Sequence, residues 1–376
     1  MRARRCRRGR ARIAAVAANR RLKAGSILAE RMCRQRLTDP LPTGRGLEAL
    51  VRTMQPISTG AYDRPGSPPR LAHRTAFDDT RATARLRGRR RLVKGRFQGG
   101  GIGYVLAEDL ELYANAFCKP LARPSPIQAR VLDVIQRAGP LTARHIKEET
   151  GLLNKQIMPA LQRLQTAFRV YEDQLDDDWD RPWYAFETEW PRVEIREARS
   201  GEAVREVLLR FLHGHVFATR ENVRDWSRLP SRLLDRCLRE LEGDGRIEAC
   251  EVKELGEGFC LRGDAEPPGA SLGPSLFVMH KADFLTRSRT SELKRRFGST
   301  DILQYLLIDG DLRGAIRGHW GFKPYDVEDI VVDLPAAVRR ARRGEILAAV
   351  AAAYPPPRHR ILRYAGRAVA SPPRRQ

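Results

Sequence analysis

Amide and cationic side chains recur on the outer face of a helix that Asn154 is predicted to cap. The inner face is apolar and comprises Ile157, Leu161, Leu164 and Phe168. The outer face comprises Lys155, Gln156, Gln162, Arg163 and Thr166. Amides and cations hydrogen-bond to base edges and phosphates, so this face could read a DNA major groove. An ordinary solvated helix face has the same composition, and it stays open as the alternative for each residue.

Metal and nucleophile chemistry find little support in the sequence. The six cysteines form no Cys-x-x-Cys pair, and His73, His280 and His319 show no metal-ligand spacing. No Ser-His-Asp or Cys-His pattern stands out. We therefore expect neither a bound metal nor a cofactor. Scattered single cysteines fit reduced thiols in a cytosolic protein.

The net charge of +23 over 376 residues is concentrated near the two ends of the chain. Residues 1–36 carry 13 Lys and Arg against one acid, and residues 346–376 carry six Arg and no acid, which leaves +5 for residues 37–345. So basic a balance favours a polyanionic partner, of which nucleic acid is the commonest. Two solvated basic tails are the alternative, and we expect residues 1–23 to be a disordered tail.

No apolar run is long enough to cross a membrane, and the apolar stretch near the N-terminus is too short for a signal peptide. The expected location is therefore cytoplasmic and nucleoid-associated. The expected partner is double-stranded DNA, with no membrane contact, and the expected state is a monomer.

The elements that would position these side chains repeat one plan, three helices followed by a two-stranded ribbon, which is the order of a winged helix. Residues 119–190 show it most clearly. Ser125 and Gln128 form a capping-box pattern for a first helix, Thr142 can cap a second, and Asn154 can cap a third. Two extended runs follow, with an acidic loop between them that would repel phosphate.

Residues 200–264 repeat this plan, and residues 24–118 form a more divergent copy with a very basic helix near residues 80–91. In that copy, residues 92–97 and 102–106 flank a Gly-rich turn, which predicts a hairpin that we interpret as a wing. The cations of the three copies predicted to contact phosphate are Arg89, Arg90, Lys94, Lys155, Arg163, Arg236 and Arg239.

Residues 275–370 change to a pattern of strands. Asp309-Gly310 between two apolar runs is a strong signal for a two-residue hairpin. A helix is expected near residues 336–354. The predicted fold class is therefore α+β, with tandem winged-helix units followed by a small C-terminal antiparallel β-barrel.

Several segments resemble one family. They are Arg74–Asp79, Leu92–Phe97, His280–Leu285, Leu303–Gly310, Gly318–Ile330 and Arg363–Gly366. Together they resemble the winged-helix proteins related to the crosslink-repair DNA glycosylases of the AlkZ/YcaQ type, over roughly residues 25–370. The resemblance implies three tandem winged helices and a β-barrel that cup DNA in a concave basic surface. It also implies excision of N7-alkylated or crosslinked purines.

The resemblance further implies an active-site motif, Gln-x-Gln or Gln-x-Asp, which reads Gln55-Pro56-Ile57 here. Gln55 is then the candidate catalytic residue, because a carboxamide can orient a water molecule. Ile57 can neither orient water nor accept its proton. Pro56 also disfavours a helical conformation at Gln55, so the helix should end there. A capping or core-edge role is the alternative for Gln55.

The missing second group could come from one of three acids that follow, Asp63, Asp78 and Asp79, although turn and cap roles suit them better. Three functions stay open. The first is a monofunctional DNA glycosylase acting by water attack at C1′. The second is a non-catalytic DNA-binding transcription regulator or lesion sensor, which Ile57 favours. The third is a scaffold that binds an acidic protein through its Arg-rich ends.

Overall fold

The computed structural model describes residues 23–59, 71–172, 180–264, 272–321 and 324–369. Internal contacts divide the chain into two compact units. Unit 1 comprises Met1–Thr38, His215–Trp226 and Ala249–Gln376. Unit 2 comprises Asp39–Gly214 and Ser227–Glu248. Both helices and sheets contribute to the fold, which confirms the predicted α+β class.

The helices of the described residues are α1 (Ala24–Arg34), α2 (Leu47–Met54), α3 (Asp79–Gly88), α4 (Leu110–Phe117), α5 (Pro126–Ala138), α6 (Ala143–Thr150), α7 (Asn154–Thr166), α8 (Phe186–Glu189), α9 (Ser200–His215), α10 (Arg220–Ser227), α11 (Ser231–Gly243), α12 (Phe284–Ser288), α13 (Thr290–Phe297), α14 (Ala336–Ala341) and α15 (Arg343–Ala353).

The strands of the described residues are β1 (Ile57–Ser58), β2 (Leu92–Phe97), β3 (Gly101–Leu106), β4 (Val170–Glu172), β5 (Trp183–Ala185), β6 (Phe217–Ala218), β7 (Ile247–Val252), β8 (Gly256–Leu261), β9 (Leu276–His280), β10 (Ile302–Ile308), β11 (Asp311–Arg317), β12 (Asp329–Val332), β13 (Arg363–Tyr364) and β14 (Arg367–Ala368).

The first part of unit 2 is a three-stranded sheet in the order β1-β3-β2, preceded by α2. The apolar side chains of α2 recur at helical spacing and are buried, so this face of the helix packs into the core. The helix ends at Gln55, whose φ of −63° and ψ of 148° are extended, as the following proline requires. The predicted hairpin of β2 and β3 is confirmed, and β3 pairs on its other edge with β1.

The second part of unit 2 has the predicted order of α5, α6 and α7 followed by β4 and β5. Ser125 and Gln128 form the predicted capping box, and Thr142 accepts the backbone N–H of His145 at the start of α6. The predicted cap by Asn154 is wrong. Asn154 is already helical, and the Gln156 side chain instead accepts the backbone N–H of Leu153 at 3.0 Å. The predicted acidic loop lies largely outside the described residues.

The element order of residues 200–264 also follows the prediction, with α9, α10 and α11 before the strands β7 and β8. A third strand, β6, pairs with β8, so the ribbon is one side of a three-stranded sheet. The division by contacts cuts across two predicted domains. Residues 24–38 of the first copy and residues 215–226 and 249–264 of the last fall in unit 1.

Unit 1 contains a six-stranded sheet in the order β14-β13-β12-β11-β10-β9. Alternate residues of β10 face two different apolar clusters, one shared with α15 and the other with α1 and α13. The sheet is therefore buried on both faces. Within the described residues it keeps two edge strands, β9 and β14, so the predicted closed barrel is not confirmed.

The turn between β10 and β11 is the predicted two-residue hairpin. Asp309 has a φ of 52° and Gly310 a φ of 79°, the two positive values that such a turn requires. The single helix predicted near residues 336–354 is instead two consecutive helices, α14 and α15.

Candidate functional site

Gln55 lies at the junction of α2 and β1 and is buried, with 2% of its surface exposed. Its carboxamide is engaged at both ends. The Oε1 atom accepts the backbone N–H of Leu106 at 2.9 Å, and Nε2 donates to the carboxylate of Asp109 at 2.6 Å. The hydroxyl of Tyr113 donates to the Gln55 carbonyl oxygen at 3.2 Å. Gln55 is thus held rigidly by β3 and by the residues that follow it.

Asp109 is the group that Gln55 holds. It lies in a short turn of 3-10 helix, Ala107–Asp109, between β3 and α4, and its side chain is 10% exposed. One oxygen accepts from Gln55, and the other accepts from Arg210 at 2.7 Å. The guanidinium of Arg52 also lies 3.5 Å from the oxygen that accepts from Gln55. A carboxylate oxygen can accept more than one hydrogen bond, so Asp109 retains accepting capacity toward a further group.

Asp109 also forms part of the wall of an open groove in unit 2, with a volume of about 880 Å³. The acids among the lining residues are Glu108, Asp109, Glu111, Glu202, Glu206 and Asp244. The cations are Arg199, Arg205, Arg210 and Arg246. Arg52 is not among the lining residues, but it pairs with both Glu108 and Asp109. Six carboxylates against these five guanidinium groups leave the groove a small excess of negative charge, in a protein whose total charge is +23. Gln55 is not among the lining residues and lies behind Asp109.

The acids considered as replacements for the missing motif residue have other tasks. Asp78 caps α3 by accepting the backbone N–H groups of Thr80 and Arg81. The Asp79 carboxylate accepts the backbone N–H of Leu71 at 3.2 Å. Asp63 lies outside the described residues. Ile57 is buried and pairs with Tyr104 in the sheet, so it contributes to the core.

Lys94, predicted to contact phosphate, is buried, and only 2% of its side chain is exposed. Its Nζ atom lies 2.7 Å from Glu172, which also pairs with Arg181 at 2.6 Å. Burial lowers the pKa of Lys94 to about 8, against the opposing effect of Glu172. Lys94 cannot reach a phosphate in this arrangement, so the geometry does not fit the predicted contact.

The other predicted contacts on α7 and its surroundings are partly committed to the protein itself. Gln156 caps α7, as described above. Arg163 donates to the backbone carbonyls of Lys119 at 2.9 Å and Pro120 at 2.8 Å. Arg90 is half-exposed and forms an ion pair with Glu189.

The remaining predicted cations are exposed. They are Arg89, Lys155, Arg236 and Arg239. Arg236 is 58% exposed and lies 3.9 Å from Glu240, at the outer limit of an ion pair. These side chains are accessible to a phosphate, and all of them lie in unit 2.

No group of three or more His, Cys, Asp or Glu side chains within the described ranges could hold a metal ion. No helix in that part of the chain is both long and apolar enough to cross a bilayer.

Comparison with known proteins identifies the family of this chain. A family model described as DNA glycosylase AlkZ-like matches residues 69–352. The chain belongs to the AlkZ-like DNA glycosylase family. The solved structure of the DNA glycosylase AlkZ of Streptomyces sahachiroi is similar, with a TM-score of 0.64 at 13% sequence identity, over 88% of this chain and 97% of that one. At this identity the likeness concerns the fold. No curated protein matches the chain.

The family match includes only one of the two residues of the candidate site. Asp109 lies inside the AlkZ-like match, whereas Gln55 precedes its first residue. Sequence reasoning found Gln55 through the resemblance and missed Asp109. The signal was present as an acidic pair, Glu108-Asp109, directly after an apolar strand and before a helix.

Proposed function

We propose that this AlkZ-like protein is a monofunctional DNA glycosylase that excises N7-alkylated purines, including crosslinked ones. The observation that carries the proposal is the Gln55–Asp109 hydrogen bond of 2.6 Å at the wall of the groove. It supplies a positioned carboxylate although Ile57 replaces the second motif residue. Crosslink repair would require the same excision step on a purine that is joined to the other strand.

The reaction needs little help at the leaving group. An N7-alkylated guanine is already cationic, so the electron pair of the C1′–N9 bond passes to the base, which leaves neutral. Positive charge develops on the sugar, and water adds at C1′ and loses one proton. Asp109 is placed to stabilise that charge and to accept the proton. No cofactor takes part.

The charge of the groove supports a cationic substrate base. Six carboxylates against the four lining arginines and Arg52 would attract an alkylated purine more than an unmodified, neutral one. The same excess repels phosphates, so the DNA backbone would have to be bound elsewhere on unit 2.

In this proposal Gln55 is a positioning residue, and it does not hold the water itself. Its buried carboxamide fixes the carboxylate of Asp109 relative to β3. This changes the role that the motif implied for Gln55, since the carbonyl oxygen expected to orient water accepts a backbone N–H.

We also propose that the repeated order of three helices and a ribbon forms winged-helix units at residues 24–118, 119–190 and 200–264, with a further domain at 275–370. The partner would be double-stranded DNA, bound by a monomer at the nucleoid in the cytoplasm. Arg89, Arg90, Lys155, Gln156, Arg163, Arg236 and Arg239 stay candidate DNA contacts.

The experiment is base release from a duplex with N7-methylguanine, under single-turnover conditions with protein in excess. Asp109→Asn should slow release by about a hundredfold or more, since general-base groups typically contribute that much. Glu202→Gln removes an exposed carboxylate of the same groove that does not contact Gln55, and it should have a much smaller effect. Equal effects would assign the loss to groove charge. Unchanged release in Asp109→Asn would exclude Asp109 from catalysis.

The role of Gln55 has its own readout. Gln55→Glu would bring two carboxyl groups together, and like charges at that distance raise one pKa. The pH profile of base release should therefore move to higher pH. A residue with only a structural role would lower the amount of folded protein and leave the profile in place.

A second candidate function is a non-catalytic DNA-binding regulator or lesion sensor. It is favoured by the buried carboxamide of Gln55 and by Ile57 in the motif. Tight binding to the alkylated duplex without base release by the wild-type protein would support this second function over the first.

A further inference from the structure

The Gly-rich turn between β2 and β3 is surrounded by positive charge. Gly99 and Gly100, here called the glycine tip, have φ values of 80° and 94°, which favour glycine. A Cβ atom at Gly99 would lie 3.0 Å from Cδ of Arg228, and one at Gly100 would lie 3.9 Å from Nζ of Lys119. The absence of side chains therefore lets two cations approach the backbone of the tip.

A third cation, Arg163, is connected to Lys119. Nζ of Lys119 donates to the Gly99 carbonyl at 3.2 Å, and the guanidinium of Arg163 donates to the carbonyl of Lys119 itself. Arg96 adds a hydrogen bond of 3.1 Å to the Gly100 carbonyl. Four backbone carbonyls, including that of Pro120, thus hold Lys119, Arg96 and Arg163 around the tip.

The hydrogen-bond partners of Lys119 and Arg163 are neutral carbonyls. Within the described residues, Lys119, Arg163 and Arg228 form no ion pair with a carboxylate. Lys94 and Arg90, by contrast, each form one. A carbonyl orients a cation without cancelling its charge. Lys119 and Arg163 therefore bring preorganised, uncompensated positive charge to the glycine tip. Arg228 adds a further uncompensated charge, and its stem packs against Gly99. Lys119 and Arg228 are both exposed.

We propose that the glycine tip, with Lys119, Arg163 and Arg228, is a clamp for the phosphodiester backbone of duplex DNA. Oriented cations with no anionic partner are what a phosphate oxygen binds best. The clamp rests on the proposed function for its duplex substrate. It supplies the backbone contact that the acidic groove cannot provide and that Lys94 is too buried to make.

The test compares two double variants of the full chain by their binding to a fluorescent duplex across a salt series. Lys119→Gln with Arg228→Gln keeps much of each side-chain stem and removes two charges from the tip. Arg81→Gln with Arg137→Gln removes two charges from exposed side chains that lie near Asp78 and Asp133. The total charge of the two double variants is the same.

The tip variant should lower the magnitude of the slope of log affinity against log salt by about 0.9 for each phosphate that it no longer neutralises. The control should keep the wild-type slope. A wild-type slope in the tip variant, or an equal fall in the control, overturns the clamp. If the tip double variant has a lowered unfolding temperature, the single variants Lys119→Gln and Arg228→Gln replace it, each with half the expected change.

Base release separates this proposal from the proposed function. Release of N7-methylguanine by the wild-type protein, at saturating protein and low salt, tests the glycosylase, and the salt slope of the tip variant tests the clamp. A lowered salt slope in a protein that releases no base supports the clamp and contradicts the glycosylase. Base release by the wild-type protein, together with an unchanged salt slope in the tip variant, supports the glycosylase and contradicts the clamp.

Discussion

At the scale of single residues, two side chains of one type can have opposite environments in this protein. Lys94 is enclosed with Glu172 and Arg181, while Lys155 is exposed on α7. Desolvation penalises the charged form of a buried amine, and the pKa of Lys94 falls to about 8 from an ordinary 10.5. The consequence is a dependence of stability on pH.

Between pH 8 and 10.5 the unfolded chain binds a proton at Lys94 that the folded chain has released. The free energy of unfolding should therefore rise with pH across this range, by about 2 to 3 kcal/mol from this group. Below pH 8 both states are protonated, and this gain is absent. Lys94→Met removes the dependence, so the stability of the wild type relative to Lys94→Met should increase across the range.

The measurement is urea unfolding of both proteins at several pH values. Lys155→Met is the control, because it removes an exposed lysine, and its stability relative to the wild type should stay constant. A constant difference between the wild type and Lys94→Met would show that Lys94 is not desolvated.

At the scale of elements, the turn between β10 and β11 depends on both backbone conformation and packing. Gly310 has a positive φ and is buried, and a Cβ there would lie 2.8 Å from Cδ2 of Leu272 and 3.1 Å from Cβ of Leu28. Gly366, in the turn between β13 and β14, has a similar φ of 77° with nothing within 4 Å. Replacing each glycine by alanine therefore distinguishes backbone strain, which both positions have, from steric crowding, which only Gly310 has.

Gly310→Ala should lower the free energy of unfolding of unit 1 by about 2 to 4 kcal/mol, as the sum of left-handed strain and overpacking. Gly366→Ala should cost only the strain, about 1 to 2 kcal/mol. Thermal or urea unfolding of the full chain measures both. Equal losses of unfolding free energy in the two variants would mean that α1 and Leu272 shift to accommodate the added methyl group at no cost.

At the scale of the whole molecule, the distribution of charge predicts how the protein binds duplexes without lesions. The first 23 residues contain ten Lys and Arg and no acid, so we expect them to contribute strongly to non-specific attraction to DNA. Their removal should weaken binding to any duplex and flatten its salt dependence. It should leave the rate of base release at saturating protein unchanged.

Anisotropy titrations and single-turnover release with the shortened chain check both parts. A fall in the release rate at saturation would give the N-terminal residues a part in the chemistry. Unchanged affinity would show that the excess charge of this segment does not act on DNA.

Local patterns predicted much of the fold correctly. Ser125 and Gln128 predicted the start of α5, Pro56 the end of α2, and Asp309-Gly310 the turn that pairs β10 with β11. These features rest on hydrogen bonds or dihedral angles within a few residues, so the sequence contains all the information they need. The resemblance of several segments along the chain to one family likewise indicated the AlkZ-like family correctly.

The candidate site was decided by tertiary structure. Nothing in the spacing of Gln55 and Asp109 brings them together, because they meet only when β1 and β3 pair. The burial of Lys94 and the carbonyl contacts of Lys119 likewise depend on segments distant in sequence. The sequence alone determined which side chains carry charge and where local elements begin. The burial of each charged side chain and its partners arise from packing between remote segments, and they decide whether that charge can bind a ligand or take part in catalysis.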